Sequence, residues 1–61
     1  MSTMPPGDFE TAYESLATAI DAAGPEREAL FLTRLALLLA NELGDIGRFK
    51  RAVQTALDEL P

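Results

Sequence analysis

Two glycine-bearing joints, Gly24-Pro25 and Gly44-Asp45, cut this chain into three short segments, and each segment carries helical rather than strand periodicity. Glycine suits the left-handed position that closes a helix, and proline cannot continue a hydrogen-bond ladder. No stretch alternates apolar and polar residues with period two over a β-branched run, so no strand is expected. In the first segment Phe9, Tyr13, Leu16, Ile20 and Ala23 recur at spacings of four and three, which puts them on one helix face. In the third, Ile46, Phe49, Val53, either Ala56 or Leu57, and Leu60 do the same, with Lys50, Arg51, Gln54, Thr55, Asp58 and Glu59 on the outer side. Asp8 is expected to cap the first helix and Asp45 the third, since a carboxylate accepts the unpaired amide protons of a first turn. Pro25 is expected inside the first turn of the second helix, where its missing donor costs nothing. The predicted fold is all-α, a small three-helix bundle with helices over about 8–23, 25–43 and 45–60 forming one domain, 8–61, behind a flexible tail, 1–7.

A chain of 61 residues is short of core. At this size folding hides only ~60% of the surface of the unfolded chain, and small domains commonly add a disulfide, a metal or a second subunit. The absence of cysteine removes the disulfide, and the absence of cysteine and histidine together removes the commonest metal ligands. Self-association, or docking on a larger protein, is the remaining way to gain stability. The apolar fraction of 48% is that of a folded protein, and a net charge of −5 favours solubility while opposing non-specific binding to phosphate backbones or anionic lipid. The longest apolar run, from Ala29 to Ala40, is broken by Thr33 and Arg34 and falls short of the ~20 residues of a membrane-spanning helix. Met1 to Gly7 has neither a basic region nor an apolar segment, so no secretory signal is expected and the expected location is cytoplasmic.

The second helix constrains function most. At 100° per residue, Phe31, Leu32, Leu35, Leu38, Leu39 and Leu43 span one broad arc that can face the other two helices. Leu30 and Leu37 fall on the opposite side, beside Arg34 and Asn41. A helix apolar nearly all round is normally covered on both sides. Leu30, Arg34, Leu37 and Asn41 are therefore the expected partner-binding residues, and the expected partner is a second copy of the chain, as a homodimer, or a larger enzyme. The competing reading is a pair of isolated surface leucines, which proteins tolerate. Arg34 either meets a partner carboxylate or lies along the bundle and pairs with Glu14, Asp21 or Asp58. Asn41 and Asp45 have a structural reading at the second joint.

Other constellations carry less. Arg48, Lys50 and Arg51 near the start of the third helix raise helix-turn-helix DNA binding, but the acidic balance and Asp45 beside the would-be phosphate contacts oppose it. Glu10 and Glu14 stack on one helix face without a cleft around them, which argues for a solvated stripe rather than acid–base chemistry. With no cysteine, no histidine and no glycine-rich phosphate loop, no catalytic residue, metal site or cofactor is expected, and the chain is not expected to be an enzyme.

The stretch Leu32-Thr33-Arg34-Leu35-Ala36-Leu37-Leu38-Leu39-Ala40-Asn41, followed by Gly44-Asp45 and preceded by the Asp8-Phe9 helix start, resembles a family of short bacterial helical proteins that form a domain of unknown function. The resemblance spans most of residues 8–57. Many of those relatives have histidine where Glu42 stands here, so any role of that histidine does not carry over. The resemblance implies a bacterial all-helical protein and an accessory or regulatory role beside flavin-dependent oxidoreductases of small-molecule catabolism. It implies no chemistry for this chain.

Overall fold

Among the described residues the chain forms three α-helices in a row: α1 over Pro6–Ala23, α2 over Glu28–Leu43 and α3 over Ile46–Asp58. The structure, a computed structural model, describes residues 3–61. There is no strand among them, and the all-α, three-helix architecture is the one the periodicity predicts.

The ends of the helices show where local chemistry was read correctly and where it was not. Asp45 caps α3 as expected: its backbone is extended, and its Oδ1 accepts a hydrogen bond from the Arg48 amide at 3.0 Å. Gly44 closes α2 in the left-handed conformation, φ 67°, and its amide donates to the Ala40 carbonyl at 3.0 Å. Asp8, by contrast, is not the cap of α1. The helix begins earlier, at Pro6 behind Pro5, and no side chain caps it. Proline at the first helical position has its φ preset and no amide to satisfy, so Pro6 extends the helix over residues expected to be tail. The expected tail 1–7 thus shrinks to Thr3–Pro5 among the described residues, with residues 1–2 outside them.

Pro25 also departs from its expected place. It lies outside α2, at the second position of a turn in which the Arg27 amide donates to the Gly24 carbonyl at 3.1 Å. Proline is favoured there for the same preset φ. The turn delays α2 to Glu28 and leaves Glu26 outside the helix. Arg27 then reaches back, its Nε donating to the Ala23 carbonyl at 3.1 Å, which places a cation at the negative end of α1. The third helix stops at Asp58, two residues before the expected end, and Leu60 lies beyond it.

Packing is the larger departure. Short joints do bring consecutive helices together, but α1 meets α2, and α2 meets α3, almost only beside the joint that links them. Among the described residues α1 and α3 do not meet at all. The helices therefore diverge instead of enclosing a core. Leu16, Ala19, Ile20 and Ala23 of α1 and Phe31, Leu32 and Leu35 of α2 are half-buried near the first joint, and Ala40, Gly47 and Phe49 near the second. No described residue is fully buried. The radius of gyration is 12.7 Å, against ~10.5 Å for a closed domain of this length. The accessible surface is 5538 Å², whereas a folded monomer of 6.6 kDa exposes about 3,900 Å².

Candidate functional site

The four residues singled out on α2 lie together on an open face. Leu30 is 55% exposed and Leu37 63%, and Arg34 and Asn41 are exposed beside them. Arg34, Leu37, Leu38 and Asn41 line one shallow hollow. A second hollow, in the crook between α1 and α2, is lined by Ala19, Ala22, Ala23, Leu30, Phe31 and Arg34, with Arg27 at its edge. Arg34 belongs to both, so the face is continuous along α2. Arg34 makes none of the side-chain hydrogen bonds found among the described residues, all of which join positions three or four apart. Its expected partners Glu14, Asp21 and Asp58 are not bonded to it; Asp58 instead accepts from Gln54 at 2.9 Å.

The exposed apolar surface extends well past those four residues. Leu38 and Leu39, expected to face neighbouring helices, are exposed because α1 leaves α2 before reaching them, and Leu43, at the mouth of the α2–α3 crook, is only partly covered. On α1, Phe9 and the 70%-exposed Tyr13 stand free, since only the C-terminal half of that helix is covered. They line a small hollow with Glu10 and Glu14, an apolar floor with an acidic rim.

The third helix is the most informative. Its apolar arc, Ile46, Val53 and Leu57, is exposed, together with Leu60 beyond its end. The crook between α2 and α3 is lined by Leu43 with Arg48, Arg51, Ala52, Thr55, Ala56 and Glu59. So α3 lines that crook with its polar and alanine sides, keeps Phe49 half-buried near the joint and leaves Ile46, Val53 and Leu57 turned outward. One signal in the sequence pointed this way: a chain too short for three helices to hide every stripe.

Charge is divided between the helices. α1 carries Asp8, Glu10, Glu14 and Asp21 and no basic residue, whereas α3 carries Arg48, Lys50 and Arg51 against Asp58 alone. Among the described residues no group of three or more Asp and Glu side chains is placed to hold a metal ion, and no helix is long and apolar enough to cross a membrane. Compared with protein-family models, with curated proteins and with solved structures, the chain gives no match.

Proposed function

We propose that this chain is a non-catalytic protein-interaction module that works in an assembled state, joining a second copy of itself through α2, with Leu30, Arg34, Leu37 and Asn41 at the centre of the contact. One observation carries the reading: the chain leaves about 1,600 Å² more surface open than a closed monomer of its mass. Measured against its unfolded state it hides roughly two-fifths of its surface, in place of ~60%. Much of what stays open is leucine, isoleucine, valine, phenylalanine and tyrosine. Covering it in two copies removes about 3,200 Å² in total, within the range of obligate homodimers and beyond that of transient contacts. Area sets the class of interface here, and not its affinity.

The test is sedimentation velocity over a wide concentration range, with Leu37→Asp alongside. The wild-type chain is expected to sediment as a dimer and to lose helix content together with the dimer on dilution. Leu37→Asp is expected to shift it towards monomer, because it places a charge where an apolar contact forms. A helical monomer at the highest concentration reached refutes self-association.

A further inference from the structure

The interaction reading leaves open what covers the outward stripe of α3 and the free half of α1, and we infer that each covers the other across two copies: α1 of one chain packs on α3 of its partner. This rests on the self-association proposed above and specifies its geometry. Four observations lead to it.

The first is the position of the α2 patch. Leu30 and Asn41 lie equally far from the middle of Glu28–Leu43, and so do Arg34 and Leu37. A two-fold axis through that midpoint, with the two α2 helices antiparallel, maps the patch onto itself: Leu30 faces the partner's Asn41, and Arg34 faces the partner's Leu37. A patch that the axis maps onto itself is what a two-fold contact requires. The two Leu37 side chains then start only ~4.5 Å apart along the helix axis, close enough to shield one another.

The second follows from chain order. In an antiparallel α2 pair, the N-terminal end of one helix lies beside the C-terminal end of the other. α1 attaches at the first end and α3 at the second, so the symmetry that pairs the α2 patches also brings α1 of one chain next to α3 of the other.

The third is the shape of the surfaces. α1 and α3 make no contact within one chain, and each exposes large apolar side chains: Phe9 and Tyr13 on one, Ile46, Val53 and Leu57 on the other. The last is charge. Glu10 and Glu14 rim the Phe9–Tyr13 hollow, and Lys50, expected on the outer side, stands seven residues before Leu57 and so shares its face, on a helix whose other cations are Arg48 and Arg51. Opposite charges flanking apolar stripes favour α1–α3 pairing over α1–α1 pairing, which would set acid against acid.

Isotope-filtered NMR on a sample mixed from labelled and unlabelled wild-type chains tests the arrangement directly. Tyr13 is the only tyrosine, so its ring signals are unambiguous. The expected result is intermolecular NOEs from the Tyr13 ring to the methyl groups of Val53 and Leu57. If those NOEs occur only within one chain, or are absent in a sample that sediments as a dimer, this inference is overturned while self-association stands. A sample that sediments as monomer removes both. A second measurement needs no NOE: Glu10→Lys with Glu14→Lys, both at exposed positions, is expected to weaken association at least tenfold at low salt, with recovery at high salt. An unchanged dissociation constant overturns the α1–α3 pairing.

Discussion

Replacing Leu57 by alanine separates an isolated chain from an assembled one by the size of the loss. Leu57 is 58% exposed in the single chain. Full burial of a leucine stabilises by ~1.5–3 kcal/mol, so a side chain less than half covered gives up below ~1 kcal/mol when shortened to alanine. Alanine is also the best helix former, which offsets part of that. In a dimer that covers the α3 stripe, the same change deletes a buried side chain in each copy at ~2–5 kcal/mol apiece. The loss is then about 4–10 kcal/mol per dimer, at least ~1,000-fold in the dissociation constant. Urea unfolding followed by far-UV circular dichroism reads both the loss and its origin. For a dimer, raising the concentration about a hundredfold adds ~2.7 kcal/mol to apparent stability. With a urea slope of ~1–3 kcal/mol per molar, the midpoint moves by roughly 1–3 M. Superimposable curves at all concentrations, with a Leu57→Ala loss under ~1 kcal/mol, would refute the argument from exposed surface.

Asp45→Ala is expected to destabilise by about 1 kcal/mol, seen as a lower unfolding midpoint and faster exchange of the Arg48 amide, which loses its only acceptor. Gly44→Ala is expected to cost ~1–2 kcal/mol from the left-handed backbone alone, because open space surrounds the position; Gly44→Asn should recover part of that in the same assay. Pro25→Ala is expected to cost ~0.4–1 kcal/mol through the freer unfolded chain, with the helix content of the folded state unchanged. Duplex DNA is expected to show no change in fluorescence anisotropy with the chain at low salt, since Arg48 is half-buried beside α2 and the chain is acidic; binding that disappears on Arg48→Ala with Arg51→Ala would contradict this.

Helix number and the second joint were legible because they depend on neighbours in sequence. Gly44 had to turn left-handed to end α2, and Asp45 had one carboxylate to offer the next four amides. The first joint and the start of α1 were misread for a related reason: proline satisfies several local roles with the same preset φ. Pro25 took the turn position rather than the helical one, and Pro6 opened α1 ahead of Asp8. The arcs were correct as arcs, yet periodicity says which side chains share a face and not whether a neighbouring helix extends far enough to cover it. Leu38, Leu39 and Leu43 share the arc of Phe31, Leu32 and Leu35, but they lie too far from the α1 joint to be covered by that helix. Leu30 and Leu37 stood out as hard to hide, and they are exposed; so are Ile46, Val53 and Leu57, which periodicity alone assigned to an interior.

The helices of this chain touch only where they are joined, and that has a kinetic consequence. Nothing in the single chain requires closing a long loop, so each helix winds and unwinds on the ~0.1–1 μs timescale of an isolated peptide. Under the self-association proposed above, the slow, ordering step is a collision between molecules, and its rate rises with how much of the chain a cell makes. A copy that finds no mate keeps sampling opened segments within reach of proteases, and its lifetime follows the population of those segments. Degradation of the unpaired copies would thus make the lifetime of the protein rise with its own concentration, without a dedicated regulator.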